Sequence, residues 1–124
     1  MPHVTEHLYV SSDKRIDLIA ARLNAKLDLK LTARDSYYWG DYYLDTSNLL
    51  KEIRLYLNVD PRYRPDSDPP EDYWLEPAYR DYPLLLYVFG FDAGVEAFNM
   101  RLWYSCPKFD FGCVRSATFA RYGG

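Results

Sequence analysis

From Pro83 to Phe91 the chain is apolar on both parities, with Leu84, Leu86 and Val88 on one and Leu85, Tyr87, Phe89 and Phe91 on the other. A strand with one wet face alternates, so this run predicts a central strand covered on both sides. A buried helix is the rival reading. Nine residues is short for a helix, and Tyr, Val and Phe favour strand. Pro83 suits the first position of a strand, where a missing donor matters least.

The flanking segments carry clearer periods. His7-Leu8-Tyr9-Val10 reads as a short edge-type strand, and Ser11 or Ser12 is placed to cap a helix starting near Asp13. In that helix Ile16, Ile19, Ala20, Leu23 and Leu27 share one face, with Asp13 and Asp17 in the first turns and Arg22 and Lys26 in the last. Leu29 to Thr32 reads as a little strand or a connection. Asp35 to Asp45 reads as one strand with a bulge or bend near Gly40, which puts Tyr37, Trp39, Asp41 and Tyr43 on an exposed face. After a turn at Thr46-Ser47-Asn48, Glu52 to Val59 alternates. Ile53, Leu55, Leu57 and Val59 point inward and Glu52, Arg54, Tyr56 and Asn58 outward, completing an antiparallel hairpin. Asp92 can cap a second helix whose Val95, Phe98 and Leu102 align. Pro107 ends it, and Phe109 to Phe119 returns as a final strand with Gly112 as its irregular point.

This order predicts a single α+β domain over residues 1–124, with two helices packed on one face of a mostly antiparallel sheet in a ferredoxin-like arrangement. Leu84, Leu86, Val88 and Phe89 are expected to be buried with Ile16, Ile19, Leu23, Leu55, Leu57 and Phe98. The second face of the central strand needs a cover, supplied either by the long loop or by a second subunit, so dimerisation is among the expectations.

That loop, residues 61–82, changes the picture most. It holds five prolines and six acids against three arginines, a local charge of 3 − 6 = −3 that equals the net charge of the chain. Prolines reduce the entropy lost when a loop is fixed, acids attract a basic partner, and aromatic rings supply anchors. The expected recognition surface is therefore Asp66, Asp68, Glu71, Asp72, Tyr73, Trp74, Glu76 and Tyr79, with Trp39 and Asp41 beside it. The competing reading is a solvated acidic loop whose aromatics fold back as a lid over the sheet.

Composition narrows the function classes. Thirteen tyrosines in 124 residues suit both sheet faces and binding surfaces. A net charge of −3 argues against nucleic acid or an anionic membrane as main partner. Met1-Pro2-His3-Val4 lacks a charged-then-apolar leader and no apolar run approaches a membrane span, so a cytoplasmic location is expected. Cys106 and Cys113 lack the spacing of a thiolate metal site and are expected as thiols. His3 and His7 have no ligand or base partner at useful spacing. Asp41 and Asp45 are too few ligands for a cation and are expected to be solvated. With no base–nucleophile pair, metal cluster or phosphate loop, neither a catalytic residue nor a cofactor is predicted, and the chain is expected not to be an enzyme.

His7-Leu8-Tyr9-Val10, the serine pair with its amphipathic helix, Gly40-Asp41-Tyr42-Tyr43-Leu44, Glu52-Ile53-Arg54-Leu55, and Asp81-Tyr82-Pro83-Leu84-Leu85-Leu86-Tyr87-Val88 follow one another in that order. The arrangement resembles small cytoplasmic immunity proteins of bacterial polymorphic-toxin systems, encoded beside contact-dependent or type VI-secreted toxins. It spans most of residues 6–103 and leaves out the tail after Tyr104. The resemblance implies a stoichiometric protein inhibitor of a cognate secreted toxin domain. The alternative class is a small-molecule-binding or enzymatic α+β domain, with a pocket between sheet and loop lined by Tyr37, Trp39, Tyr43 and Trp74.

Overall fold

In the computed structural model, which describes residues 3–36, 40–46, 51–105 and 111–120, the apolar run does become a central strand. The described strands are β1 (His3–Ser11), β2 (Thr32–Ser36), β3 (Gly40–Asp45), β4 (Lys51–Leu57), β5 (Leu84–Phe91) and β6 (Gly112–Ala120). They form one six-stranded sheet in the order β2-β3-β4-β5-β1-β6, antiparallel at every pairing. Helix α1 (Ile16–Leu27) follows β1, and α2 (Asp92–Ser105) follows β5. Among the described residues, no helix is long and apolar enough to cross a membrane.

Alternation on the strands divides the interior in two. One cluster gathers Tyr9, Ile53, Leu55, Leu84, Leu86 and Val88 from the sheet with Ile19, Ala20, Leu23 and Leu27 of α1 and Val95, Phe98 and Leu102 of α2. The other takes the alternate positions Leu8, Val10, Tyr56 and Leu85, with Leu75 and Tyr79 of the loop packed against them. Each helix stripe predicted from its period is thus the stripe that is buried, except that Ile16 is only partly covered. Tyr9 joins α2 to the sheet through a hydroxyl that donates to Asn99 Oδ1 at 2.6 Å, and its ring meets Phe98 edge-on.

Several expectations are corrected. Asp35 to Asp45 is not one strand, because β2 and β3 pair as antiparallel neighbours with Ser36 opposite Gly40. Gly40 takes φ +65°, and a Cβ there would stand 3.0 Å from Pro61 Cβ. The left-handed backbone and the close approach to the loop both require glycine. Neither serine caps α1. Ser11 Oγ accepts from the Asp13 N–H, Asp13 Oδ1 accepts from the Arg15 N–H, and the helix starts without a side-chain cap. Leu57 and Val59, expected inward, are exposed, whereas Tyr56 and Asn58, expected outward, are buried. The reason is that the loop folds over the Tyr56 side of the sheet. Phe89 is also outside the core, at 43% exposure. Asp45 is buried, not solvated, and accepts from the Lys30 N–H at 2.8 Å.

Candidate functional site

Residues 58–83 leave β4 and return to β5 through two short 3-10 turns, Pro70–Tyr73 and Pro77–Tyr79. Asn58 organises the segment. Its amide Nδ2 donates toward the carbonyls of Glu76 (3.2 Å), Tyr79 (3.0 Å) and Tyr82 (3.2 Å), while Oδ1 accepts from the Glu76 N–H at 2.7 Å. Its own N–H donates to Pro83 O at 2.8 Å. A flipped amide would set an oxygen against three carbonyls, so the network fixes the orientation. Further along, the Asp60 N–H donates to Tyr73 O at 2.8 Å and Asp68 Oδ2 accepts from the Arg64 N–H at 2.8 Å.

The predicted recognition residues divide into two groups. Tyr79, together with its neighbour Leu75 that was not among them, packs toward the sheet, and the Tyr79 hydroxyl reaches Val114 O at 3.5 Å. Glu76 turns the same way, where Tyr87 donates to its Oε1 at 2.5 Å and Arg115 Nη2 lies 3.2 Å away. Asp66, Glu71, Asp72 and Tyr73 are exposed, and Asp68 and Trp74 are half-buried. Tyr63, Tyr73 and Trp74 stack edge to face in sequence, at centroid distances of 5.5 and 5.4 Å. The loop therefore combines both readings of its sequence: one side is a lid and the other presents acids and rings. Asp41 is exposed on the β2–β3 hairpin, opposite Asp35. Tyr43 is drawn toward α1, where its hydroxyl donates to Asp17. Tyr37, Trp39, Cys106 and the His3 side chain lie outside the described residues.

Between lid and sheet runs a cleft of about 560 Å³, lined by Glu6, Glu52, Arg54, Tyr56, Asp60, Arg62, Leu75, Glu76, Tyr87 and Phe89. Strand register builds its floor, because Glu6, Phe89 and Glu52 form one row and Leu8, Tyr87 and Arg54 the next. Arg54 pairs with Glu52 at 2.9 Å and Arg62 with Asp60 at 3.3 Å. A shallower groove of about 370 Å³ adjoins it, where Asp60, Asp68 and Asp72 face Tyr63 and Trp74. Of the residues expected in a sheet–loop pocket, Trp74 lines this groove and Tyr43 lines neither cavity. No stretch of sequence contains the cleft's row, because its members come from three strands. The outward side chains of β4 and the second parity of β5 were the available signal.

No group of three or more His, Cys, Asp or Glu able to hold a metal ion occurs among the described residues. His7 Nδ1 lies 3.1 Å from the Tyr9 hydroxyl, a structural contact, and Cys113 is a free exposed thiol. No protein-family model matches the chain, and no curated protein matches it.

Burial raises the phenols of Tyr9 and Tyr87 well above the ordinary 10.0, and for Tyr87 the bond to the Glu76 carboxylate adds to the effect. A raised acid holds its proton more tightly in the folded state than in the unfolded state. The stability from these neutral phenols is therefore intact below pH 10.0 and is lost as pH rises beyond it. An absorbance titration should show the last phenols ionising only as the protein unfolds. Tyr87→Phe should flatten the fall of stability above pH 10 in denaturant melts. An unchanged slope would place Tyr87 in contact with water.

Proposed function

We propose that this chain is a binding protein that neutralises a cognate secreted bacterial toxin domain in a stoichiometric complex, using the loop between β4 and β5. The observation that carries this reading is the Asn58 network. A proline-rich segment long enough to wander is held in one form, and it turns Asp66, Glu71, Asp72 and Tyr73 outward around a half-buried Trp74. Such pre-organisation lowers the ordering cost of binding, and an aromatic centre with an acidic rim suits a basic patch on the partner. We infer further that β6-β1-β5-β4 with α1 and α2 form a ferredoxin-like arrangement, extended by the β2–β3 hairpin. Both helices then share one face and leave the other to the recognition loop. The strand order and the shared core cluster support this.

The test is co-expression with the toxin-like C-terminal domain encoded beside the gene, reading growth protection and affinity together. Trp74→Ala should weaken binding by at least about 2 kcal/mol. Charge reversal at Asp66, Glu71 and Asp72 should slow association, an effect that shrinks as salt rises past ~0.15 M. Asp68 is the wrong residue to reverse, since it also holds the Arg64 N–H. Intact affinity and protection in these folded variants would move recognition elsewhere, and absence of binding by the parent would end the reading. The small-molecule or enzymatic alternative rests on the cleft, whose size and convergent polar groups fit a ligand site. Its mark would be a ligand that shifts Tyr87 and Phe89 resonances without any toxin present.

A further inference from the structure

The cleft between lid and sheet joins open aromatic rings to uncancelled negative charge. On its floor Phe89, 43% exposed, is paired with Glu6 of β1 on one side and Glu52 of β4 on the other. Residues directly opposite each other project from the same face of a sheet, so a carboxylate side chain stands on either side of the phenyl ring. The shallower groove repeats the combination, with Asp68 and Asp72 beside Tyr63 and Trp74. Asp60, Arg62 and Leu75 line both cavities, which makes them two parts of one trough.

The arginines of the trough are already engaged. Arg54 Nε lies 2.9 Å from Glu52, and its Nη1 donates to the Tyr56 hydroxyl at 3.3 Å. Arg62 folds back on Asp60 through both Nε and Nη2. Arg115, at the rim, lies 3.2 Å from Glu76 and 3.9 Å from Glu6. Six carboxylates (Glu6, Glu52, Asp60, Asp68, Asp72 and Glu76) against these three guanidiniums leave three negative charges uncancelled. An aromatic face attracts a cation, so rings and charge select the same ligand.

We propose that the trough binds an extended basic peptide segment, with an arginine side chain over Phe89 between Glu6 and Glu52. A second basic side chain of the segment lies over Trp74, beside Asp68 and Asp72. Guanidinium suits the Phe89 end better than ammonium, because its plane stacks on a ring while its edges donate to carboxylates. The occupant is a peptide and not a free cation because rings and acids recur at both ends of one trough. Linking two cations makes the second contact intramolecular and strengthens both. The proposal rests on the binding-protein reading only for the carrier of the segment, and it adds the floor of the cleft to the recognition loop.

The test needs no toxin. Glycine peptides carrying two arginines at different spacings are titrated into the whole chain, with the aromatic resonances of Phe89 and Trp74 followed by NMR. At least one spacing should shift both and saturate below about 1 mM. Glu6→Gln and Phe89→Leu should each weaken that peptide about 3–10-fold, and added salt should weaken it further. Both side chains reach solvent, and melting temperature is measured in parallel to show that the fold is intact. N-acetylarginine amide should bind at least ~10-fold more weakly than the peptide. Equal affinity would assign the trough to a free cation and overturn the peptide. Shifts at Trp74 alone, or no shift with any spacing, overturn the Phe89 site. Saturable binding of inorganic phosphate that displaces the peptide would make the trough an anion site and overturn the proposal outright. The loop reading is judged separately, by toxin affinity and Trp74→Ala, so either can fail while the other stands.

Discussion

Asn58→Ala is expected to destabilise the protein by about 3–5 kcal/mol and to release the loop between β4 and β5. Asn58 is 2% exposed, and its side chain serves one N–H and three carbonyls of the loop. Truncation leaves the Glu76 N–H and the carbonyls of Glu76, Tyr79 and Tyr82 without that partner. Each buried orphan costs about 1–3 kcal/mol, and the loop can escape part of the sum only by opening to water. Opening has its own cost, because Leu75 and Tyr79 would leave the cluster they form with Leu8, Val10, Tyr56 and Leu85. For a chain of this size the loss should lower the melting temperature by roughly 10–20 °C. Limited proteolysis should then cut first within residues 58–83.

Asn58→Asp supplies the control. It keeps the acceptor for the Glu76 N–H but sets a charge against three carbonyl oxygens, so at neutral pH it should be at least as damaging as alanine. As pH falls and the carboxyl takes a proton, it regains a donor and should recover stability relative to Asn58→Ala. Melting of Asn58→Ala within a degree or two of the parent would mean that the loop is held by other contacts.

The same residue shows where sequence reading stopped. Alternation along β4 was legible, and it placed Ile53 and Leu55 inward correctly. It also sent Tyr56 and Asn58 outward, because a period of two distinguishes faces and not what covers them. The cover arrives from residues 75–82, beyond a stretch of prolines and acids that carries no period of its own. Where burial depends on neighbours along one element, as in α1 and at Val95, Phe98 and Leu102 of α2, the pattern sufficed. The reversal between β2 and β3 was half visible. Gly40 marked an irregular point, but only the antiparallel pairing of β2 with β3 shows a hairpin in place of a bulge. The cleft was less accessible still. Its floor is a row of Glu6, Phe89 and Glu52 from β1, β5 and β4, and sheet order is a long-range property that no window along the chain contains.

Leu86→Ala and Phe89→Ala should differ strongly, although both positions lie in the apolar run. Leu86 is fully buried and belongs to a row that crosses four strands, Tyr43–Leu55–Leu86–Tyr9, within the cluster shared with α1 and α2. Its truncation removes apolar contacts and leaves a cavity that a sheet paired on both sides cannot collapse to fill. The expected loss is therefore toward the upper part of the ~2–5 kcal/mol range for such substitutions. Phe89 is 43% exposed and lines the cleft, so much of its ring already meets water and its removal leaves no sealed void. Its loss should fall near ~1 kcal/mol, well short of the ~3–5 kcal/mol of a buried phenylalanine. Urea midpoints with unchanged slopes make the comparison, since an altered slope would signal a changed denatured state. Leu85→Ala should resemble Leu86→Ala, because Leu85 is equally buried on the opposite side of the same strand, under Leu75 and Tyr79. If Leu85→Ala were instead as mild as Phe89→Ala, the loop would be no lid over that face in solution. Equal losses at Leu86 and Phe89 would close the cleft and return Phe89 to the core.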